Sequence, residues 1–231
     1  MGVCRFSRIY TNIRGCAVEI VCISDTHGLH HQLDVPNSRI IVHTGDFSNR
    51  GGEAETDNFL QWYSELPYKY KLLIAGNHDF FPYLKPDEFR QKCHTLGITY
   101  LEDSWIVIEG IKFYGTPWVP TFYDWAFMES ETELAKRYSR IPSGTQVLLT
   151  HGPALWTLDE VPKGHAGSSA LLDRIVNLPN LTHHIFGHIH EGRGKLQKSH
   201  LSVNAACVGK WYDALPAQSI YVKPNLNKST L

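Results

Sequence analysis

The residues best suited to chemistry in this chain fall in short polar motifs: Asp25-Thr26-His27, Gly45-Asp46, Gly76-Asn77-His78-Asp79, His151-Gly152-Pro153 and Gly187-His188-Ile189-His190. Taken singly, each has an ordinary explanation. Asp-x-His caps a turn as readily as it binds a metal, Gly-Asp is a turn, and a lone His-x-His is usually structural. Taken together, Asp25, His27, Asp46, Asn77, His151, His188 and His190 offer two carboxylates, one amide and four imidazoles. That donor set suits borderline divalent ions such as manganese, iron, zinc or cobalt. Seven ligands are too many for one catalytic ion with an open position, and suit two ions that share a carboxylate.

Residues so far apart in sequence act together only if the fold gathers them. Each motif follows an apolar run: 17–23, 39–42, 71–75, 146–150 and 184–186 read as short strands. The carboxyl ends of strands in open α/β sheets form one rim where ligands bind, so the motifs are expected to converge. Residues 53–66 carry Phe59, Leu60, Tyr63 and Leu66 at helical spacing before Pro67, residues 129–138 suit a second helix, and Ser168 or Ser169 is placed to cap a third. Residues 105–108 and 111–114 flank Glu109-Gly110 as a hairpin, and 202–205 and 219–222 read as closing strands. Early alternation of strand and helix implies parallel pairing and the hairpin implies antiparallel pairing, so the sheets are expected to be mixed. With no repeat or linker, one domain over residues 1–231, with a core of about 17–223, is expected.

Composition narrows the partners. A net charge of -1 gives no signal for a nucleic-acid backbone. No apolar run is long enough to span a membrane or to form a signal peptide. The start nearly matches a myristoylation signal, with Phe6 where Ser or Thr belongs, so Gly2 and Cys4 read as ordinary terminal residues. Cys4, Cys16, Cys22, Cys93 and Cys207 form no CxxC pair, which argues against a disulfide framework or a structural zinc and for a reducing, cytoplasmic location.

The motif series, in this order, resembles that of the calcineurin-like metallophosphoesterase superfamily: D-x-H, G-D, G-N-H-[DE], H and G-H-x-H. Stretches such as HTGDFSNRGG, IKFYGTPW, THGPALW and HHIFGHIHEGRG are similar to the metallophosphoesterase-domain-containing (MPPED-like) phosphodiesterases. The resemblance covers about residues 20–205. It implies a four-layer α/β/β/α sandwich with mixed sheets and a phosphoric ester hydrolase with two divalent ions, manganese first, with iron, zinc, cobalt or magnesium as alternatives. It places Asp25, His27 and His190 on one ion and Asn77, His151 and His188 on the other, with Asp46 bridging. It makes His78 a catalytic histidine near the leaving group, oriented by Asp79. In such a site a hydroxide bridging the ions attacks the phosphorus. The expected substrates are small phosphodiesters, cyclic nucleotides among them.

Two other readings stay open. Gly45-Asp46-Phe47-Ser48-Asn49-Arg50-Gly51 resembles the G-D-x-x-D-R-G stretch of serine/threonine protein phosphatases, with Asn49 out of pattern, so a phosphomonoesterase or protein phosphatase is one alternative. A nucleotide-binding scaffold with little turnover is the other. Trp118, Phe122, Tyr123, Trp125 and Phe127 are expected to pack a loop on the core, with base stacking as the sharper option. The segment Lys163–Ser168 could hold an anion at a helix start or be a plain capped loop.

Overall fold

The computed structural model describes residues 16–209 and 211–225; the lead-in that contains Gly2 and Cys4 lies outside the described residues. The strands of the two large sheets are β1 (Val18–Ile23), β2 (Ile40–Thr44), β3 (Tyr70–Ile74), β4 (Thr99–Tyr100), β5 (Ser104–Ile108), β6 (Ile111–Thr116), β7 (Val147–Thr150), β8 (His183–Phe186), β9 (Gly194–Gln197), β10 (Leu201–Asn204) and β11 (Gln218–Val222). The helices are α1 (Glu53–Glu65), α2 (Phe80–Leu84), α3 (Pro86–Thr95), α4 (Glu131–Tyr138) and α5 (Ser169–Ile175). One sheet has the order β11-β1-β2-β3-β4 and the other β9-β10-β8-β7-β6-β5. In each sheet the central strands are parallel and an antiparallel strand closes the edge: β11 on β1, and β9 and β5 on the two flanks of the second sheet.

The near-continuous apolar runs of β1 and β2 follow from burial on both faces. Ile20, Cys22, Ile40, Val42, Leu72 and Ile74 point between the sheets and meet Phe113, Val147, Leu149, Ile185 and Val203. The alternate residues Val21, Ile23, Ile41 and Leu73 face outward under Phe59, Leu60 and Tyr63 of α1 and Phe89 and Cys93 of α3. On the far side Tyr114 and Leu148 are covered by Leu134 and Tyr138 of α4 and by Leu171 and Ile175 of α5. The result is the expected four-layer α/β/β/α sandwich with mixed sheets.

Helix α3 was not legible, because only Phe89 and Cys93 of its ten residues are buried and the rest are largely polar. Strand β9 is a charged edge strand with no fully buried residue. The hairpin between β5 and β6 turns on Glu109 and Gly110, both at positive φ as a two-residue type I′ turn requires. The N-terminus of α5 is already filled: Glu131 accepts from Ser168 Oγ and from the backbone N–H of Ser169 and Ala170. The segment before α5 is therefore a capped loop. Cys22, Cys93 and Cys207 are buried, Cys16 is exposed, and none is in a disulfide. Among the described residues no helix is long and apolar enough to cross a membrane.

Candidate metal centre

The loops leaving β1, β2, β3, β7 and β8 meet where the two sheets share a rim. Two contacts stitch the sheets together there: a parallel bridge between Ser24 and Ala206, and a 2.7 Å hydrogen bond from Cys207 N–H to the Ser24 carbonyl. The loops after β1 and β2 continue side by side, with Asp25 N–H donating to Gly45 O (2.9 Å) and His27 N–H to Asp46 O (3.1 Å). The chain turns so tightly that side chains are forced into left-handed backbone. Of the ten non-glycine residues with positive φ among those described, four are Asp25, His27, Asp46 and His188. Each such residue costs of order 1–3 kcal/mol and persists only where its surroundings impose it. Glycine is required where backbone and carboxylate touch: a Cβ on Gly187 would sit 1.9 Å from Asp25 Oδ2, and one on Gly76 would sit 2.3 Å from Asp46 Oδ1.

The ligand-type atoms of Asp25, His27 and His190 form one group and those of Asp46, His151 and His188 another, each within 4.8 Å. His27 Nε2 and His190 Nε2 face each other at 3.3 Å, with Asp25 Oδ1 3.5 Å from His190 Nε2. Asp46 Oδ2 stands between the groups, 3.3 Å from His151 Nε2 and 3.8 Å from His27 Nε2. Asn77 Oδ1 lies 3.0 Å from His151 Nε2. Because His151 Nδ1 is committed to the Thr44 carbonyl at 2.9 Å, its Nε2 is the atom left for the cluster. All seven residues proposed from the sequence are thus brought together.

Their ionisation suits cation binding. Burial opposes charge on Asp46, yet His151, His27 and His78 hold its carboxyl well below the usual range. Asp25 is also penalised by burial but is drawn down to about 2 by His190 and His151. Burial and then His151 push His188 down to about 3, and burial lowers His27, so these imidazoles keep a free lone pair. His151, raised to about 9 against its burial by Asp46, directs Nε2 at two acceptor oxygens. That arrangement calls for a proton or a cation at one point. Two buried carboxylates, an amide oxygen and convergent imidazole nitrogens fit divalent ions.

His78 is half-buried, in reach of His27 and Asp46. The expectation that Asp79 orients it is corrected by the structure. Asp79 is fully buried and turned away: Oδ2 accepts from Asp46 N–H and Gly76 N–H, both 2.8 Å, and Oδ1 from Ser48 N–H (3.1 Å) and Ser48 Oγ (2.7 Å). It braces the Asp46 loop against the Asn77 loop, and its oxygens are engaged there and not on His78. Adjacent residues of a tight turn project in different directions, so neighbours in sequence need not pair. The partner of His78 Nδ1 is the Asn49 carbonyl, 2.8 Å away, while Asn49 Nδ2 donates to the His27 carbonyl at 2.7 Å. In the sequence Asn49 stands out only as a departure from the protein-phosphatase pattern, and that departure is its signal. His43 is a second brace: Nδ1 accepts from Gly45 N–H and Nε2 lies 3.1 Å from Thr26 Oγ1.

The aromatic segment divides. Trp118 and Phe127 are core, Trp125 packs on His78 with ring centroids 4.2 Å apart, and Phe122 and Tyr123 are exposed. Tyr212, not singled out from sequence, reaches the cluster from the other side, 5.4 Å from His27. A cavity of about 790 Å³ lined by Trp156, Leu158, His165, Glu191 and Arg193 contains none of the candidate ligands.

Comparison with known proteins agrees with this geometry. The chain is 36% identical over 198 residues to metallophosphoesterase domain-containing protein 1 of Homo sapiens and equally to that of Mus musculus. The match covers 75% of this chain and 61% of each relative, so the chain spans about three-fifths of their length. The fold is similar to that of the phosphopantetheinyl hydrolase PptH from Mycobacterium tuberculosis, with a TM-score of 0.57 at 14% identity over 94% of this chain and 99% of that one. Residues 18–192, which include every candidate ligand, match the model of the calcineurin-like phosphoesterases, and the chain belongs to that family.

Proposed function

We propose that this chain is a dinuclear, metal-dependent phosphodiesterase acting on small phosphodiesters, cyclic nucleotides among them. The observation that carries the reading is the convergence of Asp25, His27, Asp46, Asn77, His151, His188 and His190 from five strand ends into two adjoining groups. Asp25, His27 and His190 would hold one ion and Asn77, His151 and His188 the other, with Asp46 shared. Manganese is the first candidate, with iron, zinc, cobalt and magnesium as alternatives. When bound, such ions activate water near neutral pH and offset the charge of the phosphoryl group.

The remaining work falls to the chain. With Nδ1–H donated to the Asn49 carbonyl, His78 keeps Nε2 for the substrate. Protonated there, it gives that proton to the departing ester oxygen and is left neutral. Trp125 against its ring limits the imidazole's motion. A diester carries one negative charge where a monoester dianion carries two, so it meets less repulsion beside Asp25 and Asp46. The protein-phosphatase alternative loses support at Asn49, which is engaged with His27 and His78, and at Arg50, which is exposed.

The test compares kcat/KM of the manganese-loaded protein for 2′,3′- and 3′,5′-cyclic nucleotides, a nitrophenyl diester, the matching monoester and a phosphopeptide. A monoester or phosphopeptide ahead of every diester by more than about tenfold, equivalent to about 1.4 kcal/mol, would overturn the diesterase reading. Absence of turnover on all of them would favour the scaffold.

A further inference from the structure

Two half-exposed aromatic rings stand at opposite ends of the ligand cluster. The Tyr212 ring lies 5.4 Å from His27 and 5.7 Å from His190, both in the Asp25 group. The Phe122 ring lies 5.6 Å from His188, in the Asp46–His151 group. They come from unrelated segments, Phe122 from the chain between β6 and α4 and Tyr212 from the turn between β10 and β11. Core packing does not account for them, since Tyr212 is 52% exposed and Phe122 48%. Chance exposure does not explain why both rest against candidate ligands. Tyr123, next in sequence and 76% exposed, packs only on Phe122 in the ring contacts found among the described residues.

Tyr212 is also held by its backbone. It has φ +57, the left-handed conformation that a side chain adopts only when imposed. The turn is closed by Gly209 N–H to Asp213 O (2.9 Å) and Tyr212 N–H to Gly209 O (3.0 Å), and is flanked by the Val208–Ala214 bridge.

We propose that Tyr212 and Phe122 are specificity-determining platforms, one for each ester arm of a phosphodiester, so that the site favours linear diesters with a planar group on both arms. The proposal rests on the phosphodiesterase reading and sharpens it. A phosphate seated among both groups directs its two ester oxygens apart, and a platform waits at either end. A cyclic nucleotide, with its two ester bonds on one sugar and a single base, engages one platform only.

The experiment uses two diesters with the same leaving group. Bis(para-nitrophenyl) phosphate has two planar arms and methyl para-nitrophenyl phosphate has one, and each releases para-nitrophenolate. Their kcat/KM values are measured on the manganese-loaded wild type and on Tyr212→Ala, Tyr212→Phe and Phe122→Ala, with metal content determined for each. Ring stacking gives the scale, so one alanine variant should lower the diaryl-to-methyl ratio by roughly five- to tenfold. The other, at the leaving-group arm, should lower both values and leave the ratio unchanged. Tyr212→Phe keeps the ring and should keep both wild-type kcat/KM values; a fall as large as Tyr212→Ala shows in whichever values that variant lowers would overturn the stacking role. Ratios within about twofold of wild type in both alanine variants would overturn the platforms while leaving the phosphodiesterase reading intact. A metal-loaded wild type that cleaves neither diester would overturn both.

Discussion

Of the seven candidate ligands, the loops leaving β1, β2 and β3 carry both carboxylates, the amide and one imidazole, whereas those leaving β7 and β8 carry imidazoles alone. Their support differs as well. The first three loops are bonded to one another: β1 to β2 through Asp25 and His27 N–H, and β2 to β3 through both oxygens of Asp79. Among the described residues the two loops of the second sheet share one such bond, Gly187 N–H to the His151 carbonyl; Asn204 Nδ2 also holds the Ile189 carbonyl of the β8 loop at 2.7 Å, and both loops lean across the rim. His151 Nδ1 rests on Thr44 O, and His188 N–H donates to the Asp25 carboxylate at 2.9 Å. The first sheet thus holds the charge in a preorganised frame, and the second sheet's nitrogens are registered against that frame. Ligand positions held by outer hydrogen bonds are what metal affinity depends on.

The largest expected effect follows from where Asp46 stands. Asp46→Asn should empty both groups, because its carboxylate lies between them, with a loss beyond the roughly 10- to 100-fold in affinity typical of an outer partner. His188→Ala should empty only the group it belongs to. Elemental analysis at saturating manganese checks both, and an Asp46→Asn protein that retained two ions would dissolve the contrast between the sheets.

Next comes His78, which belongs to the first frame but not to the proposed ligands. His78→Ala should keep both ions and lower kcat by roughly 100- to 10,000-fold on substrates with poor leaving groups. The loss should be smaller on a nitrophenyl ester, whose leaving group needs little protonation. If this variant lost its metal, His78 would have to be counted among the ligands.

Asp79→Asn probes the frame itself. The amide has one acceptor where the carboxylate receives four bonds, and its NH₂ would oppose N–H donors. Leaving buried donors unpaired costs about 1–3 kcal/mol each, and metal affinity should fall by roughly 10- to 100-fold. Urea unfolding and metal titration would read the two effects, and an unchanged affinity would mean that the frame does not position Asp46.

How much of this was legible in the sequence depends on which residues carry it. The five motifs could be found because each interrupts an apolar run at a strand's end, and strand ends are gathered by topology. Residues acting through contacts between loops had no such signature. Asn49 bonds to the His27 carbonyl, and His43 Nε2 meets Thr26 Oγ1, across the gap between the β1 and β2 segments. Tyr212 sits in a turn whose position over His27 is fixed only once β10 is in place. The pairing of Asp79 with His78, implied by the resemblance, gives way to the loop bonds that engage both Asp79 oxygens, while His78 Nδ1 turns to the Asn49 carbonyl.

The smallest expected effect compares two histidines, one beneath each rim. His43 under the first and His184 under the second are fully buried, and burial holds both far below the ordinary imidazole range, His43 to about 3. Thr150 Oγ1 donates to the Gly152 carbonyl, so it accepts from His184 Nε2–H at 2.7 Å. His184 Nδ1 is buried with no hydrogen-bond partner among the described residues, and a proton added there would have nothing to donate to. His200, with its ring 6.3 Å away, is the titratable neighbour and also disfavours that charge. The folded pKa lies below the unfolded value of about 6.5, so below that pH the unfolded chain binds the extra proton. The stabilisation is complete above about pH 6.5 and declines as pH falls toward the folded pKa, with a limiting slope near 1.4 kcal/mol per unit for one group. His184→Gln removes the titration and retains an amide donor toward Thr150. Its unfolding free energy, measured in urea from pH 7 to pH 5, should fall less steeply than that of the wild type, by up to about one such slope. Parallel pH profiles would show that His184 takes up its proton in the folded state, and that the second sheet tolerates beneath its rim a charge that its packing here disfavours.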